Sequence, residues 1–291
     1  MVKYFPQIAE ILYLLTVRFP LTAFGLFKGN LVKVHWGRGL NNFGDCLQPY
    51  ILKHYGFTPV YSQLMRSDIV LAGSIMQWIP NNYRGIIMGT GGDDVSYDFP
   101  LAKIIGVRGY KTLKNIINLT DRGVVGDPGL IMNKVFPEVI LKKYQIGIVP
   151  HFVDKHHSII NAWATRYGEQ CLVIDVLRSP SKVIKNIKSC QAIVSSSLHG
   201  LIIADAFDIP NHRFVIRDTM PTNFFDYKFD DYYSSLNVNE KPLEVTGDET
   251  LQELLASTRL YSAEVRKIQQ KLDLALKDLP FMLRTWKNSI R

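Results

Sequence analysis

Short, wholly apolar runs recur along this chain, and each is followed by a segment with helical spacing. Residues 31–36, 69–72, 86–88, 104–107 and 124–125 read as strands, with helices over 46–55 and 110–119. After a Pro-containing linker at 134–144 the alternation restarts. Strands are then expected over 146–149, 171–174, 192–194 and 213–216, and helices over 156–167, 181–189 and 201–207. A strand that is apolar on both faces must be covered on both faces, and strands joined through helices run parallel. The expected fold is α/β: two doubly wound, Rossmann-like domains facing a cleft, with ligands at the C-terminal ends of the strands. The boundaries are an apolar N-terminal helical segment over 1–30, α/β domains over 31–140 and 145–247, and a long C-terminal helical segment over 248–291.

Charge narrows the partners. The 291 residues carry a net charge of +8, which favours something acidic. There is no zinc-finger spacing, RRM signature or long basic arm, so nucleic acid is not expected. Anionic lipid, a phosphorylated substrate or an acidic glycan fits the charge. Cys46, Cys171 and Cys190 are odd in number and widely spaced, which reads as reduced thiols in a cytoplasmic protein.

The N-terminal stretch over 4–27 is strongly apolar, but Glu10 and Arg18 interrupt it and Pro20 is expected to break any helix. With no clean run of 18 apolar residues, a membrane span is not expected, and no small-residue cleavage site marks a signal peptide. A docked or membrane-surface helix is the reading, placing the protein in the cytoplasm or at the inner face of the membrane. The C-terminal run is basic, with Arg266, Lys267, Lys271, Lys277, Arg284, Lys287 and Arg291 against Glu264, Asp273 and Asp278. It reads either as a solvated face packed over the core or as a contact for anionic headgroups.

One stretch combines an anion cradle with an acid/base group. The strand Ala192-Ile193-Val194 runs into Ser195-Ser196-Ser197, then into Leu198-His199-Gly200 and an apolar helix. A helix N-terminus presents free backbone N–H groups to an anion, and its first turn here holds a histidine.

Five further motifs lie at the ends of expected elements. They are Asn41-Asn42-Phe43-Gly44-Asp45, Val107-Arg108-Gly109-Tyr110-Lys111-Thr112, Gly126-Asp127-Pro128-Gly129-Leu130, Ile146-Gly147-Ile148-Val149-Pro150-His151 and Lys228-Phe229-Asp230-Asp231-Tyr232-Tyr233. Together with Ser197-Leu198-His199-Gly200, in this order, they resemble the polysaccharide pyruvyl transferase family from about residue 32 to 235, and most resemble its bacterial exopolysaccharide and capsule branch.

The resemblance implies phosphoenolpyruvate as donor and co-substrate, with no other cofactor. It implies a saccharide acceptor, free or lipid-linked, whose two hydroxyls become a cyclic pyruvate ketal. The implied fold is like that of two-domain, GT-B-type glycosyltransferases.

The resemblance also distributes roles. His199 matches the motif histidine, as general acid or phosphate partner; its alternative is a core or capping histidine. Arg108 would clamp carboxylate or phosphate bidentately, or else form an ordinary ion pair. Ser196, Ser197, Leu198 and Gly200 would complete the donor site. Much of the family has Arg-Leu-His-Gly where this chain has Ser197-Leu198-His199-Gly200, so one guanidinium is missing. Lys228 and His151 are the motif-matched substitutes.

Asp45 is either the base for an acceptor hydroxyl or a helix cap. Asn42, Asp231 and Tyr232 are acceptor-side candidates, the tyrosine by stacking on a sugar or else packing in the core. Asp127 reads as a turn residue. His151, His156 and His157 have no metal-site spacing, so no metal is expected. Gly89-Thr90-Gly91-Gly92 lacks the rest of a dinucleotide fingerprint, and no Gly-x-Ser-x-Gly elbow is present. Two rivals stand beside the transferase: a nucleotide-sugar glycosyltransferase on the same architecture, and a non-catalytic glycan-assembly subunit.

Overall fold

The protein is described here from a computed structural model, which covers residues 12–37, 42–117, 119, 123–219 and 222–289. Residues 1–11 of the apolar segment, Asn41 and the last two residues lie outside the described part, as does some of the stretch at 118–122.

Two five-stranded parallel sheets carry the chain, and their strands follow the same order. The first contains β1 (Leu31–Val34), β2 (Thr58–Tyr61), β3 (Ile69–Val70), β4 (Ile86–Ile87) and β5 (Lys103–Ile104), arranged β2-β1-β3-β4-β5. Beyond Ile105, β6 (Gly106–Val107) pairs with β7 (Val124–Val125). The second sheet contains β8 (Tyr144–Val149), β9 (Cys171–Val173), β10 (Cys190–Ser195), β11 (Asn211–Val215) and β12 (Leu243–Glu244), arranged β12-β11-β10-β8-β9. In each sheet the strand order reverses between the first strand and the third, so the C-terminal ends of β1/β3 and β8/β10 are the switch points at which sheets of this topology bind ligands.

The helices in chain order are α1 (Phe19–Lys28), α2 (Gln48–His54), α3 (Tyr110–Lys114), α4 (Met132–Val135), α5 (Ser158–Tyr167), α6 (Pro180–Lys188), α7 (Leu198–Ala206), α8 (Thr222–Ser235), α9 (Leu251–Ser257) and α10 (Ser262–Ser289). Each sheet is covered on both faces. Val70, Ile87 and Val107 form a cluster on one side of the first sheet, and Ile148, Trp163 and Phe214 one on the outer side of the second. Between them runs a single large cluster that takes Val34, Leu47, Leu71 and Leu130 from the first half and Val149, Ile193 and Ile202 from the second. The helix α10 lies along this seam and buries Val265, Ile268, Leu272, Leu276, Leu279 and Leu283. Its polar contacts reach both halves: Gln269 Nε2 donates to Leu130 O at 2.9 Å and to Ala206 O at 3.3 Å, and Asp273 accepts from Tyr55 Oη at 2.7 Å.

Several elements depart from the sequence expectation. Pro20 does not break the N-terminal helix. It sits in the first turn of α1, directly after a π-turn over Leu14–Arg18, where a missing N–H leaves no gap in the ladder. Strand β2 is not among the strands expected from the sequence; its Pro59 is accommodated because β2 lies at the sheet edge, where proline is tolerated. The polar–aromatic run of α8 and the two residues of β12 were also missed. The C-terminal run is two helices, α9 and α10, the first begun by a capping box between Thr250 and Glu253. No helix among the described residues is long and apolar enough to cross a membrane.

Candidate active site

The turn from β10 into α7 is held by its serines. Ser195 Oγ lies 2.8 Å from Val149 O and accepts the Ser197 N–H at 3.0 Å. Ser196 Oγ accepts the His151 N–H at 2.9 Å and donates to Asp154 Oδ2 at 2.5 Å, while Thr219 Oγ1 donates to Asp154 Oδ1 at 2.6 Å. These bonds tie the end of β8 to the end of β10 across the crevice. Ser197 is the N-cap of α7, yet its side chain caps nothing, so the helix end stays available to an anion.

His199, in the first turn of α7, is 8% exposed, and its ring stands edge-on to Phe43 at 6.2 Å. Its Nε2 is buried with no hydrogen-bond partner among the described residues. Burial first, and then the charges of Arg108 and Lys228, push its pKa down to about 3, so the imidazole is neutral.

Arg108, at the end of β6, is wholly buried. Its Nε donates to Asp231 Oδ2 at 2.9 Å and its Nη1 to Ser74 Oγ at 2.6 Å, leaving Nη2 buried without a partner among the described residues. The guanidinium lies directly on the backbone of Gly91, where a Cβ would come within 2.1 Å of Cζ. Asp231 also accepts the Thr112 N–H and Oγ1–H, each at 2.8 Å.

Lys228, half-buried on α8, has its pKa lowered to about 7, by burial and then by Arg108 and Arg213, against the pull of Asp45 and Asp154. Asp45 has its pKa raised to about 6 by burial, with Lys228 drawing it back. His151 is lowered to about 3 by burial and by Lys228. Asp45, Arg108, His151, His199 and Lys228 are thus gathered into one field, together with Ser196 and Ser197 at the helix end.

Other sequence-predicted residues have different positions. Asp45 caps neither the 3₁₀ turn Asp45–Leu47 nor α2, so the capping alternative is not realised. Asn42 shapes its own loop, accepting the Gly44 N–H on Oδ1 at 3.2 Å. Asp231 is a correction to the acceptor-side reading: it is 0% exposed, its oxygens are taken by Arg108 and Thr112, and it positions the guanidinium. Tyr232 is also corrected, because it is fully buried and its Oη donates to Asp205 Oδ2 at 2.6 Å, which leaves no ring face for a sugar. Asp127 accepts the Gly129 N–H at 2.8 Å as a turn residue does, and burial raises its pKa to about 6. Leu198 is buried and offers the site only its backbone.

Sequence reading missed Ser74, Thr112, Asp154 and Arg213. Arg213 stands opposite Ser195 in the β10/β11 register, is buried over the Phe229 ring at 3.9 Å and pairs with Asp226. An arginine at the start of the apolar run Phe214-Val215-Ile216 was the available signal. No group of three or more His, Cys, Asp or Glu among the described residues is arranged to hold a metal ion.

Comparison with known proteins bears on this geometry. The model of a family described as polysaccharide pyruvyl transferase matches residues 25–216. The uncharacterized protein L143 of Acanthamoeba polyphaga mimivirus is 32% identical over 145 residues, which is 45% of this chain and 47% of that protein. The succinoglycan biosynthesis protein ExoV of Rhizobium meliloti (strain 1021) is 25% identical over 240 residues, 79% of this chain and 72% of ExoV. The match therefore spans about half the length of the mimivirus protein and most of ExoV.

Proposed function

The chain belongs to the polysaccharide pyruvyl transferase family, and from that premise we propose that it moves a pyruvyl group from phosphoenolpyruvate onto a saccharide, closing a cyclic ketal across two hydroxyls. The observation that carries this reading is the charge around His199. Arg108 and Lys228 both press on a buried, neutral imidazole. The nearby carboxylates are largely engaged, Asp231 with Arg108 and Thr112, Asp154 with Ser196 and Thr219. A donor bearing phosphate and carboxylate is the ligand such a site answers.

In this reading the free N–H groups at the start of α7, with the Ser197 hydroxyl, receive the phosphate, Ser196 holds the turn through His151 and Asp154, and the unpartnered Nη2 of Arg108 turns to the donor. His151 and Lys228 line the same side, while Gly200 lets α7 pack closely on Ser195 and Val149. Burial and then the two cations keep His199 neutral; the bound anion offsets the cations and adds a counter-charge inside the buried site, so the imidazole takes up a proton. His199 then protonates the methylene carbon as an acceptor oxygen bonds to the neighbouring carbon, and Asp45 takes that hydroxyl's proton. The tetrahedral product carries methyl, carboxylate, phosphate and one sugar oxygen. The second hydroxyl displaces phosphate, and its proton leaves with the phosphate. Asp45 and His199 then exchange their protons with solvent.

The likeness to ExoV, a succinoglycan biosynthesis protein, supports a polysaccharide acceptor; our reading takes this to be a bacterial surface polysaccharide or its lipid-linked precursor, met on the cytoplasmic side of the membrane. The two halves would flank the donor across a cleft, in the manner of two-domain glycosyltransferases. Incubating the protein with phosphoenolpyruvate and a candidate glycan tests this. The glycan should gain the mass of pyruvic acid less one water, with phosphate released in equal amount. Consumption of a nucleotide sugar instead would reassign the protein as a glycosyltransferase, and no turnover of either donor would leave an assembly subunit.

A further inference from the structure

We propose that α1 and the turn before it dock the protein onto an anionic membrane surface. The helix is inside out. Its packed side is centred on Gly25, with Leu21 and Thr22 half-buried beside it: Gly25 is buried against β1 and β2, where a Cβ would lie 2.9 Å from Thr58 Cβ and 3.0 Å from Leu31 Cδ1. Its large side chains face away, with Phe27 90%, Phe19 71% and Leu26 66% exposed. At helical spacing Leu26, Phe19, Phe27 and Phe24 fall on one broad arc opposite Gly25. The preceding turn adds Leu12 and Leu15, also exposed. A helix that turns its largest apolar residues outward gains nothing from them in folding, and a contiguous patch of this kind marks a contact surface.

The charge pattern selects the partner. No Asp or Glu occurs between Glu10 and Asp45, while Arg18, Lys28 and Lys33 fall in that stretch. The Lys28 ammonium lies over the Phe24 ring at 4.6 Å, at the edge of the apolar arc. The C-terminal end of α10 comes close to the end of α1, where Arg284 and Lys287 line a cavity with Gly29 and Asn30; Lys287 is paired with Asp68 at 2.9 Å, so Arg284 is the cation added there, and Phe281 nearby is exposed. A second copy of the chain would bring like charges face to face, each copy carrying +8. An anionic bilayer instead takes the phenylalanines at the acyl boundary and answers the cations with its headgroups. The described helical run over residues 12–28 is about 25 Å long and is packed against the first sheet through Gly25, so it lies in the interface plane. The surface stands on its own, whatever the reaction; should the acceptor be lipid-linked, it brings the enzyme to its substrate.

Vesicle flotation of the full chain tests the proposal. It should float with phosphatidylcholine–phosphatidylglycerol vesicles and far less with phosphatidylcholine alone. Phe19→Ser with Phe27→Ser should lower partitioning roughly tenfold or more, from the apolar burial lost, with the melting temperature unchanged. Val139→Ser, equally exposed on the linker, should float like the parent. Absence of parent binding to the anionic vesicles, or a double variant that floats as well as the parent, overturns it. A parent that sediments as a dimer, made monomeric by the same two substitutions, would give this face to a second copy instead.

Discussion

Nothing larger than a hydrogen fits at Gly44, because a Cβ there would lie 2.1 Å from Nδ1 of His199. This approach joins the loop after β1 to the first turn of α7, so backbone from the first half sets the position of a side chain from the second. Gly44→Ala must push the imidazole aside or move the loop. We expect kcat to fall at least about tenfold, with a stability loss of about 1–3 kcal/mol typical of overpacking. Steady-state kinetics beside thermal melts would check this, and a variant with parental kcat would show that the histidine position is not set by this contact.

A second expectation concerns the fork of Arg108. Two of its nitrogens are committed to Asp231 and Ser74, and the third, Nη2, stands buried against the Gly91 backbone with no hydrogen-bond partner among the described residues. A lysine has one ammonium and cannot serve those partners and a ligand together. Arg108→Lys should therefore weaken phosphoenolpyruvate binding nearly as much as Arg108→Ala, while Ser74→Ala should weaken it less. Calorimetric titration of the donor into variants that keep their near-ultraviolet dichroism gives the order. Parental affinity in Arg108→Lys would move the guanidinium out of the donor site.

Most strands are legible in the sequence because they are apolar runs whose burial leaves little choice of fold, whereas β2 and β12 carry no such run, and His199, Arg108 and Asp45 are visible as chemistry at strand ends. What stayed hidden depends on the third dimension. Asp231 and Tyr232 sit in a motif dense with polar and aromatic residues, and nothing in their order says that one faces Arg108 and the other Asp205. Ser74 and Gly91 are small residues whose whole contribution is where the chain brings their backbone. Lys228 was named, but its helix was not, because α8 mixes aspartates and aromatics without an apolar stripe. The cleft expected between two separate domains has no sequence counterpart to the shared cluster through Leu130, Ile202 and α10.

The two charged groups beside His199 set opposite limits on pH. Asp45 must be ionised to accept a proton, and with its pKa raised to about 6 activity should fall as the pH drops below that value. Lys228 must be protonated to hold an anion, and with its pKa lowered to about 7 donor capture should fall as the pH rises past it. The profile of kcat/KM, which reports the free enzyme, should be a narrow bell. A guanidinium stays charged throughout, so Lys228→Arg should abolish the alkaline limb and leave the acid limb in place. An alkaline limb that survives the substitution would belong to another group.

The charge argument for His199 makes a separate demand on donor binding. Free, the imidazole is neutral at pH 6, because burial and two cations hold its pKa at about 3. Phosphoenolpyruvate brings negative charge to those cations, which reverses their effect and raises the pKa of the ring. Binding should therefore draw protons from solution, seen as a binding enthalpy that varies with the ionisation enthalpy of the buffer. Lys228 and Asp45 shift in the same direction, so the informative quantity is the difference between parent and His199→Gln, which should bind with measurably smaller uptake. The ring nitrogens of His199, followed by NMR, should move toward the imidazolium shift on adding donor. If the uptake is the same in both proteins and the ring stays neutral in the complex, His199 is not the acid, and the proton for the methylene carbon comes from elsewhere.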